Sequence, residues 1–551
     1  MEAYSKLKSA PKLIPDDLVE LILLGADLQS IMRCRQVNKR FNRLIEQSMR
    51  LQYKIELALD NLEDGFPSNI SVSERLQLLE GRRNAWKGMK FRKKLFLDRR
   101  LDQEDTRSTQ ICDTGYDARI DPEDPPGVIS ISLMQGGTAT KSWKVPTAGV
   151  VVGQLENFLL YSENGLLVLL DLHDDAVTIH FCCWITGAPH IRAFQPCFHI
   201  GDEGPPLPED PSLRLSVGAY ICEEYVVVDW DASNDCKHIF IFNWYTGEVV
   251  TDFSSTLPSD YMLLSEQYLL VVYDTPQEPL QLSVIGLSVA QKGCTREATV
   301  QDLRTVCRLQ LPEKSGRLFS TGLQLTSHST ALWGRTAETR PWAAFVSLSD
   351  MIALMVENED SEVMEGDFEY EDFTLFILPS VIHDCIEVAR ANGPRSFSWH
   401  EWGPKNTRLV RTSTRLHMGF FASRGMRAVG HMHPLDPVTG TLTDSGNSML
   451  LQLYDFAPLA VRKHQTNLKL GRAERGVEVS AQSEYDPSAV FKAQDLTSML
   501  PFLVRHVAWR LDNGRDITEF RDLRLSDDGI EVDYENRVGN LKTQKFICPT
   551  W

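Results

Sequence analysis

No stretch of this 551-residue chain carries the 18 or so consecutive apolar residues that would cross a bilayer. The amino end shows no leader pattern, so no secretory route is expected, and the eleven cysteines are scattered without a C-x-x-C pair or an even framework. Reduced thiols in a cytoplasmic or nuclear protein are therefore expected, with no membrane partner, and the Asn69-Ile70-Ser71 sequon reads as chance. Positive charge is also short. The 57 Lys and Arg face 75 Asp and Glu, a net charge of -18, and a field of that sign argues against nucleic acid as a partner. The patterns G-x-x-x-x-G-K-[ST], G-x-G-x-x-G, H-E-x-x-H and G-x-S-x-G are all missing, so nucleotide cradling and the common hydrolase chemistries have no support. No catalytic residue, metal or cofactor is implied.

What is present is a folded composition, 42% hydrophobic and 24% charged, long enough for two or three units. Ile14 to Ile45 stands apart as a helical segment. Pro15, Asp16 and Asp17 suit a helix start, and Leu18, Leu21 and Ile22 follow on one face until Gly25. Asp27 is placed to cap a second helix with Leu28, Ile31 and Met32. Val37, Phe41, Leu44 and Ile45 form the apolar set of a third, basic helix whose Lys39, Arg40 and Arg43 turn elsewhere. Helices this short are marginal alone, so their apolar surplus must meet the rest of the chain or a partner.

The order of these residues resembles the F-box, the adaptor-binding module of SCF-type ubiquitin ligases. Ile14-Pro15-Asp16-Asp17-Leu18 stands for L-P-x-E-L, Ile22 for the first-helix isoleucine, and Asp27 for the aspartate opening the second helix. Ile31 and Arg33 fall at leucine and arginine positions, and Val37-Asn38-Lys39-Arg40-Phe41 matches V-C-K-R-[WF]; Ala26 and Leu28 depart from the pattern. Ile55 to Leu59, Glu74-Arg75-Leu76 and Arg82-Arg83-Asn84-Ala85-Trp86 extend the likeness towards F-box proteins common in mushroom-forming fungi. The resemblance implies adaptor contacts through Ile14, Pro15, Leu18, Leu21, Ile22, Leu28, Ile31, Val37, Lys39 and Phe41. It also implies a non-catalytic receptor that binds the adaptor, through it a cullin, and a target protein.

Beyond this module the expected layout is a tail over 1–12, the F-box over 13–50, a helical linker over 51–104 and a β-rich domain over 105–551. Short Val/Ile/Phe/Tyr runs separated by turns carry the last expectation, among them Leu166 to Leu172, Tyr225 to Trp230, Tyr268 to Tyr273, Phe373 to Leu378 and Met449 to Phe456. Asn243-Trp244-Tyr245-Thr246-Gly247-Glu248 resembles the turn of a WD-type blade. The phrase recurs irregularly, which predicts a mostly β, propeller-like domain of six to eight degenerate blades, with β-sandwiches as runner-up.

The remaining features read structurally. Gly201 to Pro211 and the acidic Glu357 to Asp372 are expected as solvated loops, and the basic run Arg82 to Arg100 as a solvated helix face. Adjacent Cys182 and Cys183 point to opposite faces of a strand, Asp527-Asp528 precede a glycine as in a turn, and His431-Met432-His433 lacks a third metal ligand. Two rivals remain: helices that merely cap a β binding domain, and a propeller hydrolase with carboxylates converging from several blades.

Overall fold

Three small polar residues divide the amino-terminal segment. Asp27 Oδ1 accepts from Ser30 N at 2.8 Å, Asn38 Oδ1 from Phe41 N at 2.8 Å, and Ser48 Oγ from Leu51 N at 3.2 Å. Each satisfies an amide that a helix start leaves open. The resulting helices are α1 (Asp16–Gly25), α2 (Leu28–Val37), α3 (Lys39–Gln47) and α4 (Met49–Leu59). A reciprocal Ser71–Glu74 capping box opens α5 (Val72–Gly88). The computed structural model describes residues 14–547 apart from 99–108, 201–217, 288–303, 327–344, 359–371, 413–420, 433–447, 481–497 and shorter breaks of six residues or fewer.

The module closes a small core of its own. Val19 and Leu23 of α1 pack with Ile31, Ile45, Leu51 and Ile55, so α4 is part of the module rather than a linker. Lys54 of α4 donates to the carbonyls of Leu24 and Ala26 at 2.5 and 2.7 Å, satisfying the open end of α1. The expected linker over 51–104 is helical only in part. Leu62–Asp64 is a strand paired with Phe345–Ser347, and Lys93–Asp98 is another. The basic run therefore crosses from α5 into a sheet, and the β domain begins before residue 105.

Among the described residues seven mainly antiparallel sheets of four or five strands follow, each built mainly from consecutive strands. Blade 1 spans Thr109–Ile111 to Thr138–Pro146, blade 2 Gln154–Tyr161 to Cys197–Ile200, and blade 3 Gly218–Cys222 to Val249–Ser255. Blade 4 runs from Ser259–Ser265 to Thr305–Gln310, blade 5 from Ser320–Thr326 to Thr407–Thr412, and blade 6 from Phe421–Arg424 to Phe502–Arg510. Blade 7 joins Ile517–Ser526, Gly529–Asn536 and Leu541–Ile547 to the early strand Lys93–Asp98. Both ends of the β chain thus meet in one sheet, which closes the ring. Separate apolar clusters fill the spaces between blades 1 and 2, 2 and 3, 3 and 4, 4 and 5, and 5 and 6. The architecture is a helical module followed by a mostly β, propeller-like domain. It is not a pair of sandwiches, because each sheet packs on the next in chain order.

The WD-like phrase behaves as expected. Asn243 Oδ1 accepts from Tyr245 N and Thr246 N, Gly247 N donates to Asn243 O, and Gly247 takes a φ of 72° that few other residues adopt. Three helices had no counterpart in the periodicity: α6 (Pro379–Asn392), α7 (Trp399–Trp402) and α8 (Pro458–Lys469). Proline opens the first and the last, a signal legible in the sequence. Cys182 is buried on the face towards blade 1, and burial pushes its thiol up to about 12. His433, Asp527, Asp528, Gly201 to Pro211 and most of Glu357 to Asp372 lie outside the described residues.

One carboxylate binds both halves at once. Asp60, just past α4, binds Arg83 of α5 at 3.0 Å and Arg427 of blade 6 at 3.2 Å, and its side chain is 5% exposed. Asp60→Ala would leave Arg83 with Glu56 and Arg427 with Asp455 (3.6 Å) but remove the anion they share, and is expected to cost about 2 kcal/mol. Faster proteolysis between residues 60 and 93 in the variant checks this.

Burial lowers the affinity of three histidines for protons. His180, His190 and His238 all titrate below their ordinary value of 6.5 because desolvation disfavours the charged ring; His180 keeps Asp171 Oδ2 at 3.4 Å. Below pH 6.5 the unfolded chain binds protons that the folded one does not, so stability rises with pH through this window. Melting temperature is expected to fall as pH drops from 7 towards 5. His190→Gln keeps a donor for Asn164 O (3.0 Å in the native chain) and should flatten that slope.

Candidate functional site

Helix α1 is apolar on two faces, and only one has a use inside the chain. Val19 and Leu23 turn inward, four residues apart, and are buried. Leu18, Leu21 and Ile22 turn outward with Ile14 before them and stay 50–63% exposed. Val37, at the end of α2, is 67% exposed. Arg40, in the first turn of α3, bonds Asp16 Oδ1 and the Ile14 carbonyl. That clamp ties the start of α3 to the amino end of α1.

The ten expected contact residues divide accordingly. Ile14, Pro15, Leu18, Leu21, Ile22, Val37 and Lys39 are exposed, whereas Leu28 and Phe41 are half-buried against the module's core. Ile31 is a correction. It is 0% exposed between α1 and α4, so it shapes the surface from behind and cannot touch a partner. Val37 also departs from its expected place, since it closes α2 instead of joining Phe41 on α3. Sequence periodicity missed Arg40 as the clamp and Lys54 as the cap, because both act on backbone carbonyls that only the tertiary fold brings near.

Electrostatics at the site is simple. Asp27 is held below the usual carboxylate range by hydrogen bonds from the Ser30 amide and hydroxyl, so the α2 cap stays ionised at neutral pH. Among the described residues no group of three or more His, Cys, Asp and Glu is placed to hold a metal, and no helix is long and apolar enough to cross a membrane.

The family model for the F-box domain matches residues 12–53. Residues 12–53 are an F-box domain. Its bounds take in the capped helices, the Arg40 clamp and the first residues of α4. No curated protein matches the chain. Among solved structures, the chain is similar to the WD40 domain of SCAP from fission yeast (8% identity, 83% of this chain and 99% of that one, TM-score 0.30). It is also similar to the Nup133 β-propeller domain of Vanderwaltozyma polyspora (8%, 82% and 97%, TM-score 0.35). The propeller-like architecture here rests on the seven sheets and their order.

The split between inner and outer faces of the F-box makes a direct prediction. Ile31→Ala, which opens a cavity in a small core, should destabilise the module by about 2–4 kcal/mol, whereas exposed Leu21→Ala should stay within about 0.5 kcal/mol. Hydrogen exchange over residues 16–59 distinguishes them: Ile31→Ala accelerates exchange across all four helices and Leu21→Ala leaves it unchanged.

Proposed function

We propose that the chain is the substrate-receptor subunit of a cullin-type ubiquitin ligase, docking the ligase adaptor on the outer face of α1 and holding a target protein on the propeller. The observation that carries this reading is the second apolar face of α1, which lies exposed beside an F-box core already closed by other residues. Ile14, Leu18, Leu21, Ile22 and Val37 keep half or more of their surface in water. Covering the remainder contributes roughly 1–2 kcal/mol each, a gross sum comparable to the lower range of association costs. Pro15 fixes the approach of the chain to α1, and Lys39 supplies a charge at the rim.

The mechanism is positional. The receptor raises the effective concentration of a target near a ubiquitin-loaded enzyme and makes or breaks no bond itself. The rival in which these helices merely cap the β domain needs the outer face of α1 to be covered by the propeller. In the structure, α4 and α5 face blade 6, and α1 presents its outer residues to solvent.

Deleting residues 1–60 would also strip Glu56 and Asp60 from the contact with α5 and blade 6, so substitutions on the outer face are the cleaner probe. Pro15→Ala combined with Leu18→Ala is expected to abolish co-purification with the adaptor while circular dichroism and melting of the β domain stay native. Unchanged co-purification would sink the assignment of this face.

A further inference from the structure

The connection between the third and fourth strands of blade 2, Trp184 to Pro196, reaches both neighbouring blades. On one side Trp143 of blade 1 donates from Nε1 to the Trp184 carbonyl at 3.0 Å. Gly187, at a φ of 71°, leaves no room for a Cβ against the Pro146 carbonyl. On the other side the Phe194 amide donates to the Trp244 carbonyl of blade 3 at 3.1 Å, and the Phe194 ring fills the space beside Gly247. Between these ties His190 acts as a brace. Asn164 O, 3.0 Å away, can only accept, so Nε2 carries the proton and Nδ1 accepts from the Arg192 amide at 3.3 Å. Burial disfavours the charged ring, which keeps this neutral arrangement in place at neutral pH.

A loop held this firmly nevertheless turns its large apolar side chains to water. Ile191 is 96% exposed and Phe194 67%; Val249, two residues past Gly247 on blade 3, is 49% exposed. The buried clusters around blades 2 and 3 close without them. Between Ile191 and Phe194 in the chain, Arg192 is exposed as well. Its guanidinium donates to the Tyr245 hydroxyl at 3.3 Å, and among the described residues it has no carboxylate partner. Glu224 on the neighbouring turn accepts from Asn243 Nδ2 at 3.1 Å, and Glu248 makes no ion pair with Arg192.

Exposed apolar groups that sit together mark a contact surface. An arginine among them is a frequent anchor, because its planar fork binds both oxygens of a carboxylate. Ile191, Arg192, Phe194 and Val249 cover far less than the roughly 800 Å² per partner of a stable globular interface. The fit is therefore to a short linear segment, and the braced backbone limits the order lost when one binds.

We propose that the Trp184–Pro196 loop, with the adjoining turn of blade 3, docks a short linear segment of a target protein that carries a large apolar side chain within a few positions of an Asp or Glu. The apolar side chain covers Ile191 and Phe194, and the carboxylate pairs with Arg192. That the segment belongs to a ligase target rests on the receptor reading; its docking here does not.

Phage-displayed random dodecapeptides, panned on the full chain with the Ile191→Asp chain as counter-selection, are the probe. Enriched peptides should carry the apolar and acidic pair, and Ile191→Asp should weaken their binding roughly tenfold. Arg192→Glu should also weaken it, and exchanging the peptide's acid for lysine should restore binding to that variant, which a merely structural arginine would not do. Melting of each variant checks its fold; Ile191 is almost wholly in water, so its replacement leaves the ties of the loop intact. Failure to enrich any peptide overturns the proposal, as do enriched peptides without an acid or a lysine exchange that restores nothing. Self-association of the native chain that Ile191→Asp abolishes overturns it in favour of a second copy of this chain. Co-sedimentation with phosphatidylcholine vesicles, lost in the same variant, overturns it in favour of a lipid surface. Every measurement uses the chain without adaptor, whereas the α1 face is read by adaptor co-purification, so either reading can fail alone.

Discussion

The carboxylate of Asp60 is the point on which the two halves of this molecule depend. It is nearly buried, it holds one guanidinium from α5 and one from blade 6, and among the described residues no buried apolar cluster spans the same junction. Apolar contacts tolerate sliding, whereas two charge-assisted pairs sharing one anion fix both distance and direction. Glu56 repeats the device one turn earlier on α4, with Arg83 and Lys463 as partners. A short antiparallel pairing of Leu62–Asp64 with Phe345–Ser347 adds a second tie at a different place on the ring. The direction in which the outer face of α1 points, relative to the propeller, follows from these three contacts.

The local signals in the sequence transferred well because they concern neighbours along the chain. Asp27 and the Asn243–Gly247 turn each act within a few residues, and both appear in the fold as read. The strands were legible for the same reason, since runs such as Leu166 to Leu170 are apolar throughout and buried on both sides. Long-range facts were not legible. Nothing in Lys93–Asp98 announces that its partner is Leu541–Ile547, and a basic run adjoining a helix reads naturally as more helix. Ile31 illustrates a subtler limit: a helical stripe gives the spacing of apolar residues but not which neighbour covers them. Here α4 covers Ile31 from within the chain, leaving the outer part of α1 as the surface.

That division explains why a module of four short helices remains apolar outside and yet folded. Its inner core is complete without a partner, so the outer residues carry no burden of holding the helices together. The capping residues between helices set where each turns, and the Arg40 clamp sets where α3 lies against α1. An exposed apolar surface on a preorganised frame loses less order on binding than one that must first assemble.

The closure of blade 7 has a consequence in time. Its first strand, Lys93–Asp98, is synthesised early, and its hydrogen-bonded neighbour, Leu541–Ile547, emerges some 440 residues later. At ordinary translation rates that interval is roughly 20–90 s. During it the early strand has an unsatisfied edge, the kind of edge to which other chains add. The F-box helices just upstream need no such wait, since their core is local. A nascent chain can therefore complete the helical core while its ring is still open, and the emergence of Leu541–Ile547 decides when the two ends of the β domain pair.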